Sequence, residues 1–287
     1  MAIVISMINL KGGVAKTTTT IALAQLLDVE FKKRILVIDL DPQTNATVML
    51  IGDRKWRELN DAKHTIAQIF DDAISGQKTF DLSATLQKKV GFVSDSKRVD
   101  LIPSSLDLIN IQDNLSKMDP GRFHAATPID VLGRALRPLL EEGEYDFVLI
   151  DCPPSLGLVT LNGLRISDYY IIPTIPDFLS TYGVPQIIQR VQDFSDTIGS
   201  SLEPLGILAT KYRAQSPVHK QQLRVLQQEK DAPLLNTVVP ENSEIAGAAE
   251  HKRLNTLRQK WGYRGQYDIY RALAQEILDR IPTAVPV

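Results

Sequence analysis

Short apolar runs recur along the chain, each bounded by polar or turn-forming residues. They fall at residues 2–8, 34–39, 99–102, 147–150, 169–172, 205–209 and 237–239, and most are rich in Ile, Val and Leu. Runs this short and continuous predict strands buried on both faces, as in a parallel sheet. Helical spacing fills the intervals. Ile21, Ala24, Gln25 and Asp28 follow the first run at that spacing, and further helices are predicted over 65–72, 107–117, 128–142 and 181–198. The 128–142 segment carries Ile129, Leu132, Leu136, Leu139 and Leu140; the 181–198 segment carries Val184, Ile187, Ile188 and Val191. Residues 40–63 are polar and mixed, and 75–96 are Lys-rich and weakly patterned, so neither names an element. Alternation of strands with helices predicts an α/β fold with a doubly wound, mainly parallel sheet covered on both faces. No repeat and no Gly-, Ser- or Pro-rich linker interrupts it, so one domain is expected over 1–287.

Charge and cysteine content narrow the function classes. The net charge is −2, so no global field draws the chain to nucleic acid, and polyanion binding needs a local patch. Cys152 is the only cysteine, which leaves no disulfide framework and no Cys-rich metal site. It sits at a strand end with no nearby His in sequence, so a small buried residue is the better reading than a nucleophile. His64, His124, His219 and His251 are scattered without metal-ligand spacing. No apolar run approaches the ~18 residues of a membrane span. With no segment before Ala2 that could act as a signal peptide, a reducing cytoplasm is the expected location.

The candidate chemistry starts where the first strand meets the first helix. Lys11, Gly12, Gly13, Val14, Ala15, Lys16, Thr17 and Thr18 lie between them. Strand, glycine turn and helix N-terminus in that order form a phosphate cradle. The glycines let N–H groups turn inward, and the helix start adds unpaired donors and a partial positive charge. Lys16 supplies a full charge for β- and γ-phosphates, and the Thr17 hydroxyl is placed for Mg²⁺. The ordinary loop would have glycine at 10 and 15, where this chain has Leu10 and Ala15; the deviant Lys-Gly-Gly-x-x-Lys-Thr form fits instead. The bland alternative is a glycine turn that binds nothing. Two further strands end in aspartate, Ile35 to Asp39 followed by Asp41, and Phe147 to Asp151, which is where a doubly wound sheet places ligand groups.

With these three motifs the chain resembles the ParA/MinD family of deviant Walker-box ATPases, in its Soj-like ParA branch. The resemblance continues through Leu101 to Leu108, Gly206 to Leu208 and Val238 to Pro240. It implies a nucleotide cycle with ATP and Mg²⁺. Lys11, Lys16 and Asp41 are then the catalytic candidates, with Asp41 orienting the attacking water and Asp39 as its rival. Thr17, Asp41 and Asp151 are the metal candidates, Asp151 through a water. Lys11 corresponds to the lysine that reaches across a face-to-face homodimer to the partner's phosphates. The adenine is expected between Thr210-Lys211 and Pro240-Glu241-Asn242, which adds Lys211, Pro240 and Asn242 to the cofactor set. The first strand begins at residue 2, which resembles the short form without a helix-turn-helix domain, and no sequence-specific operator binding is expected.

The resemblance further implies nonspecific binding to nucleoid DNA and release when a ParB-like or other adaptor stimulates hydrolysis. The cargo is a plasmid or chromosome, or in the alternative a protein body such as a carboxysome. A nucleotide-gated binding module without useful turnover remains open. Relatives carry a basic residue where this chain has Glu241, so the DNA-facing set is sought in Arg253, Arg258, Lys260 and Arg264, interleaved with Trp261 and Tyr263. Lys211, Arg213, His219, Lys220 and Arg224 form a second basic group. A membrane role is disfavoured, because the tail after Ile281 contains Pro282 and Pro286 and cannot be an amphipathic helix. Nitrogenase iron protein and the arsenite and tail-anchor ATPases share the loop but need two cysteines per chain.

Overall fold

The apolar runs form one sheet: β1 (Ile3–Met7), β2 (Ile35–Asp39), β3 (Val99–Ile102), β4 (Phe147–Asp151), β5 (Tyr169–Thr174), β6 (Glu203–Tyr212) and β7 (Leu234–Pro240). This is a computed structural model that describes residues 2–116 and 127–282. The strand order is β3-β2-β4-β1-β5-β6-β7, and each neighbouring pair is parallel. Side chains alternate across each strand, so the core divides into two layers. Ile5, Met7, Val37 and Leu149 serve one layer; Val4, Ile8, Ile38 and Ile150 serve the other.

Helices α1 (Lys16–Phe31), α2 (Asn45–Asp61), α10 (Ser243–Gly247), α11 (Leu257–Trp261) and α12 (Gln266–Arg280) contribute to the first layer. Helices α3 (Ala67–Ser75), α5 (Leu108–Ser116), α6 (Val131–Glu141), α7 (Leu158–Arg165), α8 (Phe178–Ile198) and α9 (Pro217–Leu226) build the second, with the single turn α4 (Leu82–Thr85) beside them. The doubly wound architecture expected from the alternation is the one observed. Helix α1 is buried nearly all round because the sheet and the α11–α12 segment enclose it.

Besides the short α4, α10 and α11, the longer helices α2, α7, α9 and α12 escaped the sequence pattern. In α2 the cause is Gly52, whose φ of 79° and ψ of 157° bend the helix and break its periodicity. A Cβ at Gly52 would lie 2.8 Å from the His251 ring, so the bend is shaped by close packing. The charged residues after it are its solvent side, joined by Arg57–Asp53 and Arg54–Glu58 pairs one turn apart. Helix α8 starts ahead of the predicted residue 181, because Asp177 accepts the Ser180 N–H and caps it. The Lys-rich stretch before β3 is anchored from α1, where buried Asp28 accepts Ser96 Oγ and the N–H groups of Lys97 and Arg98. Lys117, the predicted end of α5, His124 and the tail 283–287 lie outside the described residues.

Candidate active site

Register brings the motif residues together at the carboxyl ends of adjacent strands. Met7 pairs with Asp151 across β1 and β4, and Asp39 pairs with Asp151 across β2 and β4. The loop from Lys11 to Ala15 rises from β1 over this point and feeds α1. Gly13 has a φ of 76°, in the left-handed region, and Ala15 follows at 68° just before the helix. That conformation costs a non-glycine residue roughly 1–2 kcal/mol, so surrounding bonds must hold it. Two of them come from Asn9, which the sequence pattern did not single out, and from Thr210, which it placed only near the adenine. Buried Asn9 accepts the Lys11 N–H at 2.9 Å and donates to the Pro173 carbonyl at 2.8 Å. Thr210, at the end of β6, donates to the Val14 carbonyl at 3.0 Å. Both join residues far apart in sequence, which is why local pattern could not find them.

Lys16 is 6 % exposed, and its ammonium donates to the carbonyls of Lys11 (3.0 Å) and Asn9 (3.2 Å). Burial pulls its pKa down, against the raising effect of the nearby Asp151 and Asp41 carboxylates. Thr17 Oγ1 donates to Asp151 Oδ2 at 2.6 Å, and Thr20 Oγ1 to Asp151 Oδ1 at 3.4 Å. Burial raises the pKa of Asp151, Asp39 and Asp41 alike, and the mutual repulsion of these crowded carboxylates adds to it at Asp151 and Asp39. A divalent cation beside Thr17 and Asp151 would relieve that repulsion, and an all-oxygen donor set suits Mg²⁺. Among the described residues no cluster of three or more His, Cys, Asp or Glu could hold a metal alone. Phosphate oxygens would have to complete the shell. The residues fit Mg²⁺ with a polyphosphate.

The two aspartates after β2 separate cleanly. Asp39 is fully buried and both its oxygens are engaged. Oδ1 accepts the Asp41 N–H, while Oδ2 accepts the N–H and hydroxyl of Thr47 at 2.8 and 2.7 Å. It therefore positions the turn. Asp41 faces the cavity; Oδ1 accepts the Gln43 N–H, and Oδ2 takes no hydrogen bond among the described residues. An uncommitted carboxylate oxygen is what polarising a water requires.

A cavity of about 330 Å³ collects these groups: Gly12, Gly13, Ala15, Lys16, Thr17, Thr18 and Asp41 on one side, and Lys211, Pro154, Val48, Met49 and Ala249 on the others. Val14 is buried behind the loop. Of the residues expected around the adenine, Lys211 lines the cavity, whereas Pro240 and Asn242 do not. Asn242 is occupied as the cap of α10, accepting the Glu244 N–H at 2.7 Å. The apolar wall is supplied by Val48 and Met49 of α2, the helix that Gly52 hid. Lys11 turns away from the cavity, its ammonium 3.0 Å from Ser180 Oγ and 3.5 Å from Asp177 Oδ1 on α8. Cys152 is fully buried and burial pushes its thiol up to about 12, so it is unreactive.

The basic residues expected to face DNA are not one surface. Lys260 is 7 % exposed and Trp261 fully buried, the indole donating to Gln25 of α1 at 3.1 Å. Lys260 is therefore corrected from surface contact to interior residue: α11 packs onto α1 and carries it inward. Arg258 pairs with Asp268 at 2.9 Å and lies 4.3 Å over the Tyr267 ring. Arg253 and Arg264 are exposed. In the second group, Arg213 is taken up by a two-pronged pair with Glu241.

A seven-stranded parallel sheet whose first strand runs into a Lys-Gly-Gly-x-x-Lys-Thr loop defines a P-loop nucleotide-binding protein of the deviant type. A family described as an AAA domain matches residues 2–204. The chromosome-partitioning ATPase Soj of Thermus thermophilus is 30 % identical over 280 residues, covering 98 % of this chain and 97 % of the relative. An uncharacterized protein of Mycobacterium tuberculosis is 34 % identical over 285 residues, 96 % of this chain and 79 % of its own length. A cobyrinic acid a,c-diamide synthase from Mycobacterium smegmatis, solved with bound ADP and magnesium, superposes with a TM-score of 0.74 at 27 % identity, covering all of both chains. The chain belongs to the ParA/MinD family, in its Soj-like ParA branch.

Proposed function

We infer that this chain, read as one ATPase domain over 1–287, binds and hydrolyses ATP with Mg²⁺ and uses that cycle to form and dissolve a homodimer on nonspecific DNA. The reading rests on one observation: buried Lys16, the Thr17–Asp151 pair and the uncommitted Asp41 oxygen belong to the same small site. The loop N–H groups and Lys16 hold the β- and γ-phosphates. Thr17 and Asp151 hold Mg²⁺, which when bound neutralises charge developing on the phosphate oxygens. Asp41 accepts a hydrogen bond from the attacking water, and Asp39 holds Asp41 in place through its backbone. The relationship to a chromosome-partitioning ATPase supports a role in segregating a plasmid or chromosome, with an adaptor protein of the ParB type stimulating release. Steady-state turnover of ATP, measured alone and with duplex DNA, tests the reading. A chain that binds ATP but yields no ADP under any of these conditions is a gated binding module and no ATPase.

Dimerisation rests on Lys11. To reach a partner's phosphates it must leave Ser180 and Asp177, a half-exposed contact that costs little to break. Lys11→Ala is expected to bind nucleotide as a monomer and fail to dimerise with ATP and Mg²⁺. Gel filtration decides it, and an unaltered dimer returns Lys11 to an ordinary surface role.

For DNA, the exposed Arg253 and the half-neutralised Arg258 are the members of the expected patch that face solvent without lining a cavity. Each lost phosphate contact lowers the slope of log affinity against log salt by roughly 0.9. Changing both to Glu is expected to weaken binding to two unrelated duplexes alike, with a slope change nearer one contact than two, since Arg258 is already paired. Fluorescence anisotropy at two salt concentrations measures it. Unchanged affinity and slope would move the DNA surface to Lys211, Lys220 and Arg224.

A further inference from the structure

Lys260 has a feature that the nucleotide site does not use. The residue is 7 % exposed, and among the described residues its ammonium, which keeps some contact with solvent, has neither a hydrogen-bond acceptor nor an ion-pair partner. The ammonium lies 5.6 Å from the centroid of the Trp261 ring. Buried charges are ordinarily paired, because removing an ion from water costs several kcal/mol. Burial alone lowers its pKa to about 8, which still leaves it mostly protonated near neutrality. Lys260 lines a cavity of about 460 Å³, in the size range of small-molecule sites. Arg264 lines the same cavity, with no partner for its guanidinium among the described residues. Lys252 is there too, already matched by Glu250 at 2.9 Å. Glu244 is the one acid left over, an exposed side chain close to Gly262. Setting that pair aside, two cations face one anion, and among the described residues neither cation is paired.

We propose that this cavity binds a small oxyanion, a phosphate or a carboxylate, with Lys260 as its buried counter-charge and Arg264 at its mouth. Glu244 favours a species that also offers a donor, as a monoprotonated phosphate does. The site shares a wall with the nucleotide cavity. Gly247, Ala248 and Glu250 line the Lys260 side, while Ala249 between them lines the nucleotide side. Next in the chain, the His251 ring nitrogen lies 3.3 Å from the carbonyl of Met49, itself a nucleotide-cavity residue. Anion occupancy therefore alters nucleotide affinity through residues 247–251. This coupling rests on the nucleotide reading above; the anion site itself does not.

The test separates the two. Trp261 emission is followed in full-length Trp56→Phe protein that also carries Lys16→Ala, which silences the phosphate loop. Sodium phosphate and sodium acetate are titrated separately, with ionic strength held constant by NaCl. A saturable response to either anion is expected, and which one gives it identifies the oxyanion. Lys260→Met should weaken it about tenfold or more, the loss of one charge-assisted bond. A response equal to that of NaCl, or one unchanged by Lys260→Met, overturns the site. If Lys260→Met does not fold, Arg264→Gln, an exposed change, decides: a severalfold weaker response supports the site and an unchanged one overturns it. With Lys16 intact, saturating anion is expected to shift ATP affinity in the parent by more than it does in Lys260→Met. Equal shifts overturn the coupling.

Discussion

Lys16→Ala is expected to abolish measurable ATP binding. Lys16 is the positive charge that the loop and α1 bring to the cavity, and it is pre-placed by bonds to the carbonyls of Asn9 and Lys11. A flexible surface lysine would spend entropy to reach a phosphate; this one is already ordered and largely desolvated. Losing one partner of a buried charge pair costs about 2–5 kcal/mol, much of it from the charge left unpaired. That corresponds to a loss of roughly 30-fold to several thousandfold. The sheet does not depend on the ammonium, so circular dichroism should be unchanged. Calorimetry with ATP and Mg²⁺ measures the loss, and micromolar affinity retained by a folded variant would count against the cradle.

The second large effect belongs to Asp41. Asp41→Ala is expected to bind ATP and dimerise, while turnover falls by roughly 10²–10⁴, the usual contribution of a positioned general base. Binding survives because the phosphate contacts come from the loop and Lys16, not from Asp41. Asp39→Ala should behave differently. It strips acceptors from the Asp41 N–H and from both Thr47 donors, each worth about 1–3 kcal/mol if left buried and unpaired. A lowered melting temperature with reduced, not abolished, turnover is the expected signature. Normal turnover in Asp41→Ala alongside a dead but stable Asp39→Ala would reverse the assignment.

Residues 11–18 were legible because a phosphate cradle is contiguous: strand, turn and helix start lie next to one another in the chain. The aspartates at the ends of β2 and β4 were legible for a related reason. A strand buried on both faces is a continuous apolar run, so the first charge after it marks its carboxyl end. Helix α2 was not legible, because Gly52 breaks its period, and with it went the Val48 and Met49 wall. Single-residue patterns likewise could not rank Asp39 against Asp41. Only the turn that presents Thr47 to one of them separates a structural carboxylate from one with a free oxygen.

The basic residues mark the same boundary. Charge clustering in sequence predicted one outward face for Arg253, Arg258, Lys260 and Arg264. Packing of Trp261 against Gln25, 236 residues away, turned Lys260 inward and left Arg258 to Asp268. The sequence by itself determined this protein's sheet, its phosphate loop and the carboxylates at the strand ends, because periodicity and adjacency are local properties. Tertiary structure alone decided which carboxylate is free, which lysine is buried and what walls the nucleotide cavity. Those are set by long-range contacts, where burial and the partner across the gap fix what a side chain can do.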